Sequence, residues 1–214
     1  LTPDGYARFE TRREIIEVAN GAPVTITLRW TENGPVIPAT HWNLGTITPE
    51  GHVMALSWTA LTDANTSVQA GMELMRAQNV GEALQAGRDM VAPSQNLTVV
   101  DGQGNIALQT IGHMPRRMAG HQSQGRIPSP GWIDANIWQG AMPYATNPAF
   151  RDPIGGIVGN TNNKAIDRPF PDHVSFIYGD SQRVQRWRRL MLGREVHTRE
   201  SFIEAQLDTV SFTA

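Results

Sequence analysis

Two Asn-Gly dipeptides do most to constrain what this chain can fold into. Asn20-Gly21 and Asn33-Gly34 separate three short β-rich runs, Ile15-Ile16-Glu17-Val18, Val24-Thr25-Ile26-Thr27-Leu28 and Val36-Ile37. Both residue types tolerate positive φ, so the pair placed between apolar runs is a strong hairpin signal. Val24, Ile26 and Leu28 alternate with Thr25 and Thr27, which gives a strand one apolar and one wet face. A further strand is expected over Val53-Met54-Ala55-Leu56-Ser57-Trp58, after Gly51.

The period then changes. Val68, Met72, Met75 and Leu84 sit among good helix formers, and Asn79-Val80-Gly81 divides the stretch into two expected helices. Asn79 suits the N-cap of the second, because its side chain can accept an orphan amide hydrogen. Strands return at Leu97-Thr98-Val99-Val100 and Asn105-Ile106-Ala107-Leu108-Gln109-Thr110, flanking Asp101-Gly102-Gln103-Gly104. Gly102-x-Gly104 reads as this hairpin's turn; a dinucleotide loop needs a third glycine and a following helix.

From Met114 to Gly159 the chain is rich in Pro and Gly without a sustained period, yet Trp132 and Trp138 mark it as an ordered excursion. The tail is helical, with Val184, Trp187, Leu190 and Met191 at helical spacing after Ser181. A last helix is expected from Thr198, where Thr198-Arg199-Glu200-Ser201 supplies a cap residue but lacks the usual Glu or Gln of a capping box. No internal repeat or domain boundary is evident. The pattern is that of an α+β protein with antiparallel strands and helices.

Composition removes several function classes. At 214 residues the chain is one large domain or two small ones. The net charge of −2 argues against a nucleic-acid partner held by overall basic charge. No run of apolar residues is long enough for a membrane-spanning helix, and no basic-then-apolar leader opens the chain. Zero cysteines exclude disulfides, thiolate catalysis and Cys-ligated zinc. The 6 histidines show no His-Glu-x-x-His spacing, and no serine sits in a Gly-x-Ser-x-Gly elbow. Lys164 is the only lysine, which removes a Ser-x-x-Lys pair.

Chemistry concentrates in Gly159-Asn160-Thr161-Asn162-Asn163-Lys164, followed by Tyr178-Gly179-Asp180-Ser181-Gln182-Arg183-Val184. By residue type alone the three asparagines read as turn residues, since Asn tolerates left-handed backbone. Pre-placed amides also suit a site where negative charge develops on an oxygen. Arg183 falls in the first turn of its helix if Asp180 or Ser181 is the cap, where the helix dipole disfavours a cation.

The order of these pieces resembles the β chain of the penicillin acylases, in the N-terminal-nucleophile hydrolase superfamily. Thr31-Glu32-Asn33-Gly34-Pro35-Val36-Ile37, Asp101-Gly102-Gln103-Gly104-Asn105-Ile106 and Ile127-Pro128-Ser129-Pro130-Gly131 are similar to successive landmarks of that chain. The resemblance implies a share in the layered αββα architecture and amide hydrolysis through a terminal serine acyl-enzyme. It implies that Asn162 donates to the tetrahedral oxyanion and that Arg183 orients Asn162. It places the acyl pocket wall near Gly71 and Met72, which leaves penicillin itself in doubt as substrate. Acyl amides in general follow as the substrate class, among them β-lactam side chains and N-acyl homoserine lactones. Asp172 aligns with a carboxylate that helps bind a structural calcium; no cofactor is implied for the chemistry. The family's β chains begin with serine, whereas this chain begins Leu1-Thr2-Pro3. Residues 1–214 are therefore expected to be an interior fragment, partnered by the rest of the β chain and the α chain, inactive alone and prone to self-association. A periplasmic or secreted location is implied as well. The alternative is a non-catalytic binding or interaction module that keeps the scaffold.

Overall fold

A computed structural model describes residues 1–211. Although the sequence marks no boundary, the chain forms two compact units. The first comprises residues 1–65 and 115–141, the second 66–114 and 142–214.

The first unit holds a four-stranded antiparallel sheet in the order β1 (Glu10–Ile16), β2 (Val24–Thr31), β3 (Gly34–Ile37), β4 (Met54–Ala55). The two Asn-Gly pairs act differently. Ile16 pairs with Val24, so Asn20-Gly21 sits inside a longer loop in which Asn20 has φ 60° and Gly21 N–H donates to Val18 O. Thr31 pairs with Gly34, so the tight turn is Glu32-Asn33 and Gly34 opens β3. Gly34 is required there: its φ is +119°, and a Cβ would lie 2.1 Å from Leu56 O. The expected strand over residues 53–58 shrinks to Met54–Ala55. Leu56 N–H still bonds Pro35 O, but Ser57 then turns its hydroxyl to Asn33 O. Among the described residues of this unit no apolar side chain is fully buried.

The second unit carries the core. Ala70, Val80, Ala83, Ala86, Val91, Ala107, Leu108, Ile111 and Met114 are buried there. Most come from α1 (Ser67–Leu74), α2 (Val80–Ala86) and a three-stranded antiparallel sheet, β5 (Gln95–Val100), β6 (Ile106–Ile111) and β7 (Ala149–Arg151), with β6 central; Val91 precedes β5 and Met114 follows β6. Asn79 caps α2 as expected: its Oδ1 accepts from Glu82 N at 2.9 Å, while its Nδ2 donates back to the Glu82 carboxylate. Asp101 pins the β5–β6 turn by accepting from Gln103 N and Asn105 N at 3.0 Å each, and it also accepts from Val80 N. These bonds, the Asn105 side chain foremost, hold its carboxyl below the usual carboxylate range.

The helices α3 (Gln182–Leu192) and α4 (Arg199–Gln206) follow. Contrary to expectation, α4 has a complete capping box. Ser201 takes the place of the usual Glu or Gln, its hydroxyl accepting from Thr198 N while Thr198 Oγ1 accepts from Ser201 N. Arg186 of α3 grips Asp208 with two bonds of 2.9 and 2.5 Å.

The stretch expected to be one excursion from Met114 to Gly159 is divided: residues 115–141 belong to the first unit, while residues 142–159 return to the second and include β7, with Met142 N–H donating to Met114 O at 2.8 Å. Within the first unit, Arg116 N–H donates to Gly140 O at 2.9 Å, and Asn33 Nδ2 donates to Gly131 O at 3.2 Å.

Candidate oxyanion site

The Asn-rich segment lies in the irregular stretch between β7 and α3 and is fastened at both ends. Gly159 lies against the Trp187 indole of α3, leaving no room for a side chain. Asn160 Oδ1 accepts from Asn96 Nδ2 of β5 at 2.9 Å and from Asn162 N at 2.7 Å, and Asn160 Nδ2 donates to Asn163 O at 3.0 Å. Asn163 Oδ1 accepts from Thr161 N at 3.1 Å. Asn162 itself is at φ 66°, the left-handed region that Asn enters more easily than most residues. The turn geometry read from residue type is therefore present, and Asn162 stands at its exposed apex.

Arg183 occupies the first turn of α3. Asp180 Oδ1 accepts from Gln182 N at 3.0 Å and Ser181 holds the N-cap position. The cation set against the helix dipole has a specific partner: Arg183 Nη2 donates to Asn162 Oδ1 at 2.7 Å. A guanidinium has donors only, so it fixes which amide atom it faces. Asn162 Nδ2, with both its hydrogens, is thereby turned the other way.

Beside the loop is a depression of about 190 Å3 whose lining includes Leu108, Phe150, Val158, Asn160, Asn163 and Trp187. Gly71 and Met72 do not line it. They lie on α1, where Val68 (83% exposed), Met72 (46%) and Met75 (72%) form an apolar stripe and a Cβ on Gly71 would meet open space. Asp172 is exposed on the loop before α3. Calcium takes six to eight oxygen ligands, and among the described residues no group of three or more His, Asp or Glu could hold a metal ion. Asp172 alone does not make that site. Asn96 and Thr110, whose hydroxyl donates to Asn96 Oδ1 at 2.8 Å, were not singled out by the sequence. The available signal was an Asn, a residue depleted in strands, next to the apolar run of β5.

The penicillin amidase family profile matches residues 1–214. The chain belongs to the penicillin amidase family. It is 30% identical over 204 residues to the acyl-homoserine lactone acylase QuiP of Pseudomonas fluorescens, covering 95% of this chain and 24% of that protein. With the penicillin G acylase of Escherichia coli it shares 29% identity over 191 residues, 87% of this chain and 21% of the other. A thermostable penicillin G acylase from Alcaligenes faecalis superposes with a TM-score of 0.75 at 23% identity, across 92% of this chain and 34% of its own, and so shares the fold. The α+β reading and the family resemblance are both borne out. The chain spans about a quarter of the length of the relatives it matches, 24% and 21% in these two cases.

Proposed function

We propose that this chain is part of an N-terminal-nucleophile amidohydrolase that cleaves an acyl side chain from an amide, and that it contributes the oxyanion donor. The 2.7 Å bond from Arg183 to Asn162 Oδ1 carries this reading. Attack on an amide carbonyl moves negative charge onto its oxygen, and a fixed, uncharged donor stabilises that charge without prior reorganisation. Asn162 Nδ2 meets those conditions, because Arg183 sets the amide's orientation and the loop sets its position.

The nucleophile and its base are assigned to the part of the relatives that this chain does not span. In the proposed mechanism a terminal serine, deprotonated by its own α-amino group, forms an acyl-enzyme that water then hydrolyses. The substrate class follows the relatives' names, a penicillin G or an acyl-homoserine lactone being one acyl amide each. Gly71 and Met72 are proposed as part of the acyl wall on the strength of the open, apolar stripe on α1. The same reading proposes that the enzyme works in the periplasm or outside the cell.

In the complete enzyme, Asn162→Ala lowers kcat by about 10²–10³ with little change in KM, since the donor tightens its bond in the transition state. An unchanged kcat with a raised KM makes Asn162 a ground-state binding residue and ends the oxyanion reading. The isolated 214-residue chain is expected to turn over no acyl amide. Turnover by it would place the nucleophile within this segment.

A further inference from the structure

The direction of every amide behind Asn162 is dictated by backbone groups whose polarity cannot change. Asn162 N–H can only donate and Asn163 C=O can only accept, so Asn160 must present Oδ1 to the first (2.7 Å) and Nδ2 to the second (3.0 Å). That leaves Asn160 Oδ1 able to receive only a donor from the sheet, and Asn96 Nδ2 supplies it at 2.9 Å. Asn96 must then show Oδ1 to its other neighbour, where Thr110 Oγ1 donates at 2.8 Å.

Thr110 and Asn96 are directly paired across β5 and β6, so their side chains share one face of the sheet. Thr110 is buried, and its backbone is held by Pro148 O at 2.8 Å and by Asn147 Nδ2 at 3.0 Å. A line of hydrogen bonds thus runs from the buried centre of the sheet through Asn96 and Asn160 to the backbone of Asn162. Arg183 fixes how the Asn162 amide is turned; this line fixes where it stands.

We propose that Asn96 is a positioning residue for the oxyanion donor, acting through Asn160 on the backbone of Asn162. The proposal rests on the oxyanion reading. Replacing Asn96 by Leu keeps similar volume, removes the donor to Asn160 Oδ1, and frees the loop to shift. A misplacement of order 1 Å costs on the order of 10²-fold in rate, so Asn96→Leu in the complete enzyme is expected to lower kcat ten- to hundredfold while KM stays within about twofold.

The deciding measurement is a double-mutant cycle with Asn162→Ala, with active sites counted by a covalent inhibitor of the nucleophile. If Asn96 acts only through Asn162, Asn96→Leu lowers kcat per active site in the native background and adds nothing in the Asn162→Ala background. Equal losses in both backgrounds, or a loss confined to the number of active sites, overturn the proposal while leaving the oxyanion reading intact. If Asn162→Ala leaves kcat unchanged, the oxyanion reading itself fails, and the positioning role with it. Should Asn96→Leu yield no folded enzyme, Asn96→Asp serves the same cycle. It keeps the acceptor for Thr110 and sets a carboxylate oxygen against Asn160 Oδ1, and the same pattern of outcomes decides.

Discussion

A Cβ placed on Gly159 would lie 2.5 Å from Cζ2 and 2.9 Å from Cε2 of Trp187. The backbone of the asparagine loop rests directly on the indole of α3, and its height above the helix is set by the absence of a side chain. Gly159→Ala therefore pushes the loop and the tryptophan apart. We expect a loss of about 1–3 kcal/mol in folding stability, with a shifted Trp187 emission, read by chemical denaturation. Unchanged stability and emission would mean the loop has slack.

Asn162→Asp separates the two halves of the role proposed for the asparagine. An aspartate still accepts from Arg183 but has no amide donor, and it turns a negative charge toward the developing oxyanion. The complete enzyme should lose at least as much kcat as with alanine, about 10²–10³, at an unchanged or raised thermal midpoint. Retained activity would show that Arg183 rather than Asn162 contacts the substrate oxygen.

The Arg186–Asp208 pair sets an acid limit on the helical tail. The Arg186 hydrogen bonds hold the Asp208 carboxyl below its ordinary value of 3.8. A carboxyl depressed in the folded state adds stability that is fully present above its unfolded pKa and is lost as pH falls through the folded one. The tail should therefore loosen below about pH 4, visible as falling helical ellipticity. Asp208→Asn should remove that part of the acid transition, leaving the part contributed by Asp101, whose carboxyl is also depressed. An identical acid profile in the variant would deny the pair any role.

Self-association of the isolated chain is expected from the first unit. Its β1 is a sheet edge, and β3 covers β2 only at Trp30 and Thr31. Ile15, Ile16 and Val24 are exposed on this hairpin. Unpaired edges with apolar side chains invite pairing between copies. Sedimentation velocity should show a mass that rises with concentration, and Ile15→Lys with Val24→Lys should suppress the rise. A strictly monomeric chain at all concentrations would mean this surface is not adhesive.

The sequence was most legible where local chemistry decides the outcome. The Asn79 cap and the 97–110 hairpin follow from residues adjacent in the chain. The Asn162–Arg183 bond spans 21 positions and was reachable only through family resemblance, because periodicity carries no information about which loop meets which helix. Asn33-Gly34 reads as the turn itself, whereas Gly34 opens β3: Leu56 O, just past β4, crowds Gly34, and a contact from that far along the chain leaves no local trace. The Ser201 capping box was missed because a hydroxyl did the work expected of a carboxylate or amide. Asn96 and Thr110 stayed hidden for the same reason as Leu56: each is ordinary alone and informative only through its neighbour across the ladder.

Met114 and Met142 are hydrogen-bonded neighbours, so the two ends of residues 115–141 start and finish side by side. Because backbone bonds tie Met142 to Met114 and Arg116 to Gly140 and Gln139, residues 117–138 can lengthen or shorten without re-threading β6 or β7. The contact from Asn33 to Gly131 is what any replacement would have to rebuild. The asparagine loop, anchored on β5 and α3, takes none of its hydrogen bonds from that segment and is insulated from changes of its length.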